Sequence, residues 1–425
     1  MRLFVLFFIL ISLKLTAQAT WQPLPNIISN PNNQRFDDVF FLDDNLGWAA
    51  NGFYAAVYKT TDGGLTWSEQ LNQTDLGSSH YFRNIEFLNE DVGFLGTLNG
   101  LFYKTTDGGV TWTSVTNITP NPVAICGLDA VGTSTIYGCG AYFSPAFIIK
   151  SSDSGNNWTT IDMSAYADAL VEIYFVTENL GYASGKSATG GVILKTMDGG
   201  TTWTEIYNSN IIGDYVWKIQ ILESNTNVIF GAVESTATTL GQFIKSTDSG
   251  ATWFSTNAPE THLQAVGFTS ETHGWIGGHT TGFYETIDGG VTWTNLNIGN
   301  NLNRIFVTSS GQAYASGTTL YKYTDQTLNT EDFSIPSKSP LQITLLKNPV
   351  ENNLEFSIDF KSDDNLLIEL YDSNSRFIKQ LSREIIKASS TEKHYKFQVT
   401  DLATGIYFLD FHNNSGRQTI KFIKQ

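Results

Sequence analysis

One phrase recurs between residues 60 and 293: Ser/Thr-x-Asp-x-Gly-x-x-Trp. It stands at TTDGGLTW (60–67), TTDGGVTW (105–112), SSDSGNNW (151–158), TMDGGTTW (196–203), STDSGATW (246–253) and TIDGGVTW (286–293), with steps of 45, 46, 45, 50 and 40 residues between tryptophans. Repetition at this period marks an architecture in which one unit cannot bury its own faces and neighbours must stack. Alternating apolar residues flank the phrase, AAVYKT before and TWSEQL after the first copy, so each copy closes a β-hairpin. In such a turn Asp62, Asp107, Asp153, Asp198, Asp248 and Asp288 can accept bonds from backbone N–H groups, and glycine supplies positive φ. Trp67, Trp112, Trp158, Trp203, Trp253 and Trp293 pack the turn onto its hairpin, which makes the phrase a fold staple.

A second phrase lies between the boxes: DDVFFLDDNLGWAANG (37–52), RNIEFLNEDVGFLGT (83–97), VEIYFVTENLGYASG (171–185) and LQAVGFTSETHGWIGG (263–278). It reads as an inner strand, a polar turn and a second strand, so each unit supplies four strands, a propeller blade. Inner phrases begin near Asp37, Arg83, Pro122, Val171, Trp217, Leu263 and Asn303, which makes seven. The seventh unit decays to LYKYTDQTLN (320–329), which keeps Asp325 but lacks the box Gly and Trp, while TWQPLPNI (20–27) matches TWSEQLNQ (66–73). The expected fold is therefore all-β: a seven-bladed β-propeller over residues 20–326, its N-terminal strand closing the last blade and removing open sheet edges.

The six boxes resemble the Asp-box, or BNR repeat, of sialidase-like and photosystem II assembly-factor-like propellers. That resemblance implies a fold and a binding role. A sialidase would also carry an Arg triad, a Tyr/Glu nucleophile pair and an Asp acid, usually with an Arg-Ile-Pro phrase. Arg35, Arg83 and Arg304 are the only arginines of the propeller, no Arg-Ile-Pro occurs, and FRNIEF (82–87) is a poor substitute. A hydrolase needs two carboxylates at a set separation. Asp37, Asp38, Glu86 and Glu172 are available on inner strands, but no catalytic residue is assigned, and a glycoside hydrolase of the sialidase or xyloglucanase-like kind stays the alternative. No cofactor or metal is expected: a box offers one carboxylate where Ca²⁺ wants six to eight oxygens, and His80, His262, His273, His279, His394 and His412 form no ligand pattern.

Residues 1–19 have the order of a secretory signal peptide, Arg2 before an apolar run and small residues around Ala17 and Ala19. No later segment could span a membrane as a helix. Residues 327–340 read as a linker, and 341–425 as a small β-sandwich with strands at LEFSIDF, LLIELYD, RFIKQLS, HYKFQVT, GIYFLDF and QTIKFIK. Its phrases LLKNPVENNLEFSI (345–358), DLATGIYFLDF (401–411) and TIKFIKQ (419–425) resemble the type A C-terminal sorting domain of the Bacteroidetes type IX secretion system. This implies type IX machinery as a partner, passage through the periplasm to the cell surface or medium, and a cut in or just after 326–340.

Residues 20–340 hold 12 basic against 30 acidic side chains, which disfavours nucleic acid and anionic membranes as partners. Six of the nine lysines in residues 20–340, Lys59, Lys104, Lys150, Lys195, Lys245 and Lys322, precede a box or its remnant and so belong to the repeat. Among the rest, Arg35, Arg83, Lys218 and Arg304 stand where inner strands start, on the end of the channel opposite the boxes. With Trp217 they form a candidate binding face for an unknown protein, peptide or glycan; packing of the cations at strand ends is the alternative reading. Cys126 aligns with Phe41, Phe87, Phe175 and Phe268, and Cys139 with Ala50, Gly96, Ser184 and Gly277, so a cross-strand disulfide is expected in an exported chain.

Overall fold

The computed structural model describes residues 19–77, 80–140, 145–236, 239–324, 341–360, 364–372, 377–386, 393–413 and 416–425. Residues 1–18 of the expected signal peptide (1–19), Asp325 and the expected linker (327–340) lie outside the described residues. The chain divides into two compact units, one within Gln18–Asp325 and one within Gln326–Gln425.

The first unit contains seven four-stranded antiparallel sheets. Their inner strands, defining blades 1 to 7, are Phe36–Phe41, Phe82–Phe87, Gly127–Val131, Ala169–Phe175, Tyr215–Ile221, Leu263–Phe268 and Arg304–Val307. Each inner strand packs on the next and blade 7 packs on blade 1, so the ring closes. Thr20–Pro23 supplies the outer strand of blade 7, with Trp21 opposite Tyr323, as the sequence match to the box-following strand implies. Trp21 is fully buried and stacks on Phe283 of blade 6 at 4.1 Å.

Aromatic pairs bind blade to blade. Trp48 stacks on Phe87, Tyr137 on Phe175 and Tyr314 on Phe41, each at 3.6 Å, and Phe230 stacks on Phe268 at 3.8 Å. In every pair a second-strand ring meets an inner-strand Phe of the next blade. Burial of each such side chain contributes about 1.5–3 kcal/mol.

The boxes are built as their residue types require. In the first, the Thr60 hydroxyl donates to Asp62 Oδ1 at 2.8 Å and accepts from Gly64 N at 2.9 Å. Thr66 N donates to Asp62 Oδ1, and Trp67 Nε1 to the Gly64 carbonyl. The same Asp contacts recur at Asp107, Asp153, Asp198, Asp248 and Asp288. Both turn residues after the Asp have positive φ, yet Ser154 and Ser249 fill the first place in two boxes while the second is always Gly. In some boxes packing reinforces the choice, since a Cβ on Gly290 would come within 2.0 Å of Phe243 and one on Gly155 within 2.5 Å of Phe94, whereas at Gly200 the nearest atom is 3.6 Å away and the positive φ of 87° alone favours glycine.

The second unit pairs a three-stranded sheet, Leu341–Leu345, Asn353–Phe360 and Lys393–Gln398, with a four-stranded one, Phe377–Ile386, Asp364–Asp372, Gly405–Asn413 and Gly416–Lys424. Residues of both, Phe356 and Ile358 with Leu370 and Phe411 among them, share one core. The three motif phrases meet at one corner. Asn348 Oδ1 accepts from Ile423 N at 2.9 Å, Val350 N donates to the Ile423 carbonyl at 2.7 Å, and Gly405 pairs with Lys424. Tyr407 stacks on Phe422 at 5.7 Å and donates its hydroxyl to the Ala403 carbonyl. The final strand is therefore clamped by the Asn348-Pro349 phrase.

Candidate functional site

The inner-strand registers define equivalent positions around the channel. Asp38 pairs with Ala50, Asn84 with Gly96, Gly127 with Cys139, Glu172 with Ser184, Lys218 with Ala232, Ala265 with Gly277 and Arg304 with Ser316. In five of these strands a β-bulge skips the residue just before: Asp37, Arg83, Val171, Trp217 and Gln264. Two residues further along stand Phe40, Glu86, Asp129, Tyr174, Gln220, Gly267 and Phe306.

The five proposed binding residues are brought together, but they turn inward. Arg35, Arg83, Trp217 and Lys218 are all buried. Asp37 Oδ1 accepts from Arg83 Nη1 at 2.6 Å and faces Arg35 Nη2 at 3.4 Å. The Arg83 guanidinium lies 5.2 Å from the Trp217 ring, reaching from blade 2 to blade 5. Glu172 of blade 4 binds Lys218 and also Arg304 of blade 7, the latter at 2.9 Å, and Arg304 Nε lies 3.4 Å from Asp38. Packing, the alternative reading for these cations, is what the geometry supports at the strand-start end: an ion network that crosses and fills the channel. Lys218 is pushed below its ordinary pKa by burial, against the pull of Glu172.

The inner-strand carboxylates stitch blades together. Asp38 accepts from Ile85 N at 3.0 Å and Asp129 from Phe175 N at 2.7 Å, while the amide of Gln220 does the same for Phe268 N. Glu86 accepts from Ala130 N, the equivalent atom in blade 3. Burial raises the carboxyl groups of Glu86 and Asp129 well above the ordinary range, and the Asp129 charge raises Glu86 further. No ion pair reaches either group among the described contacts.

A cavity of about 160 Å³ lies at the other end of the channel, where inner strands finish and the boxes begin. Lys218 and Arg304 form its deep end, Tyr174 and Phe306 line its sides, and Glu223 and Ser309 stand among its outer residues. Only Lys218 and Arg304 were expected at a site. The sequence does not single out Asp129, Tyr174, Glu223 and Phe306; Asp129, Tyr174 and Phe306 stand two residues on from the paired positions Gly127, Glu172 and Arg304, which only the strand register defines.

The cysteines correct an expectation. Cys139 does occupy the place of Ala50 and Ser184, but its partner is Gly127. Cys126 precedes that pair as Asp37 precedes Asp38, so it is not equivalent to Phe41; its amide donates to the Cys139 carbonyl at 2.7 Å. The one-residue offset sends the side chains to different core clusters, Cys126 with Val171 and Trp217, Cys139 with Leu170 and Ala183. No disulfide joins them in this structure. Burial raises the Cys139 thiol well above its usual value. Among the described residues no group of His, Cys, Asp and Glu could hold a metal, and no helix is long and apolar enough to cross a membrane.

Residues 14–161 match the family model described as Photosynthesis system II assembly factor YCF48, and residues 348–425 that of the secretion system C-terminal sorting domain. No curated protein matches the chain. Among solved structures, YCF48 bound to D1 peptide is 19% identical at a TM-score of 0.55, covering 72% of this chain and 96% of its own. PorZ, a surface component of the type IX system of Porphyromonas gingivalis, is 13% identical at 0.52, covering 94% and 60%. An ancestral GH74 enzyme is 13% identical at 0.54, covering 95% and 64%. At such identities these likenesses concern the fold. The chain is thus an Asp-box propeller followed by a type IX C-terminal sorting domain, which marks it for export to the cell surface or medium.

Proposed function

We propose that this protein is a binding propeller that holds a protein, peptide or glycan partner outside the cell without cleaving it. The observation that carries this reading is the use already made of the channel carboxylates. Asp37, Asp38 and Glu172 are buried in ion pairs, and Asp38, Glu86 and Asp129 accept backbone bonds from neighbouring blades. Carboxylates so engaged hold blades together and leave no pair flanking an open substrate channel. The solved complex of a similar propeller with a D1 peptide supports a binding role for the fold. The sorting module delivers the propeller and is removed by a cut in or just after residues 326–340.

One observation favours the hydrolase reading: burial holds Glu86 and Asp129 as adjacent, high-pKa carboxyls, the state of a general acid. The exported protein, purified and offered a panel of aryl-glycosides, should show no turnover, while a glycan array and pull-down should retain a partner. Turnover abolished by Glu86→Gln would establish the hydrolase instead.

A further inference from the structure

The cavity at the box end of the channel has a built cause. Gly267 stands at the position where other blades carry Phe40, Glu86, Asp129, Tyr174, Gln220 or Phe306, and a Cβ there would meet Ile305 Cγ2 at 2.2 Å. Blade 6 therefore contributes no side chain to this ring; Ile305 packs over Gly267, and Val266, Phe268 and Ile305 line the cavity beside Tyr174 and Phe306.

The lining is charged but balanced. Lys218 is paired with Glu172, and Arg304 with both Glu172 and Asp38. Burial keeps Glu86 and Asp129 protonated to a higher pH than ordinary carboxyls, so they add little charge, while Glu172 and Asp38 already pair both cations and Glu223 stands at the mouth, so a free anion finds no unpaired cation there. A small cation entering the cavity meets Lys218 and Arg304 at its deep end. A ligand with no net charge escapes both repulsions. It must also replace the several waters that a polar cavity of this size holds, and only a hydroxyl-rich molecule reproduces their hydrogen bonds. The sides ask for something else, an apolar face to lie on Tyr174 and Phe306.

We propose that this cavity binds a neutral monosaccharide unit, such as the end residue of a glycan. Its C–H face packs on Tyr174 or Phe306, and its hydroxyls bond to Arg304, Glu223, Ser224 and Ser309. The assignment rests on the binding reading above and names the ligand class for it.

Ser309 and Ser224 are exposed, so Ser309→Trp and Ser224→Trp close the mouth without entering the core. Saturation-transfer NMR on the exported protein, with glucose, galactose, mannose, N-acetylglucosamine and glucuronic acid as probes, reads the site directly. At least one neutral sugar should give signal in the wild type, lose it in both Trp variants, and bind several-fold more weakly to Tyr174→Ala. Silence from every neutral sugar, a stronger signal from glucuronic acid, or signal that survives both Trp variants overturns the assignment. Partner capture in pull-downs that is untouched by Ser309→Trp would leave the binding reading standing and reject this cavity as its site.

Discussion

Lys59 of blade 1 reaches across to blade 2 and donates from Nζ to the carbonyl of Gly108, inside the next box, at 2.9 Å. Lys150 does the same to Gly199 at 2.9 Å, Lys195 to Ser249 and Lys322 to Gly63 at 3.2 Å, and Lys104 bonds Asn156 Oδ1 at 3.0 Å. Lys245 bonds the Glu271 carbonyl beside the sixth box. Five of the six boxes thus accept a lysine from the neighbouring blade and act as a clamp between blades as well as a staple within one.

Blade 6 tests this relation, because blade 7 has no Asp-Gly-x-x-Trp and blade 6 carries Glu285 in place of the lysine. Glu285 instead accepts from Trp275 Nε1 at 3.1 Å and lies 3.0 Å from His273 Nε2. Lys59→Ala should destabilise the propeller by about 1–2 kcal/mol, the scale of a lost charge-assisted bond. Glu285→Lys should also destabilise it, since no box carbonyl waits there. All ten tryptophans lie between residues 21 and 293, so tryptophan fluorescence during melting follows the propeller alone even in the full chain.

The boxes make the fold acid-sensitive. Hydrogen bonds from Asn157 to Asp153, and from Thr202, Thr252 and Thr292 to Asp198, Asp248 and Asp288, hold these carboxyls at about 2, below an ordinary 3.8. The unfolded chain takes up their protons first, so their stabilisation is complete above pH ~4 and is lost as pH falls towards ~2. Asp198→Asn should melt below the wild type at pH 7, and the two curves should converge in strong acid.

Glu86 acts with the opposite sign. Its folded-state carboxyl is raised, so folding favours the protonated form and stability declines as pH rises from the unfolded value of 4.5 through the folded one. Glu86→Gln, which can still accept from Ala130 N, should melt higher than the wild type at pH 8 and the same at pH 4. A lower melting point at pH 8 would show that the carboxylate is compensated there.

The cysteine geometry predicts two thiols in the exported protein. After denaturation without reductant, both Cys126 and Cys139 should alkylate, and the intact mass should equal that of the reduced chain. A mass lower by two hydrogens would contradict the offset.

What could be read from the chain follows from which contacts are local. The boxes, the blade repeat and the return of Thr20–Pro23 to blade 7 are written in short phrases, and the phrases could be counted. The bulges cannot be counted, because an extra residue at Asp37 or Trp217 leaves the alternation on either side intact. In blade 3 the cause is different: PNPVAICGLDA departs most from the other inner phrases, so beginning it near Pro122 puts Cys126 at the Phe41 position, four residues beyond the Asp37 position it occupies. The lysines were legible as part of the repeat, but their acceptors lie about one blade further along the chain. Arg83 and Trp217, or Glu172 and Arg304, meet across the channel only once the ring has closed. That is why the strand-start cations looked like an open face.

Export is where the two units must act together. In a host with type IX machinery, the full chain should appear outside the cell, and a chain lacking residues 341–425 should accumulate in the periplasm with a melting curve, followed by tryptophan fluorescence, that matches the intact protein. Residues 326–425 placed behind a signal peptide and a fluorescent protein should carry that cargo outside. The mature external propeller should lack Lys424 and Gln425. If the truncated chain reaches the medium as efficiently as the full one, the C-terminal module does not direct export.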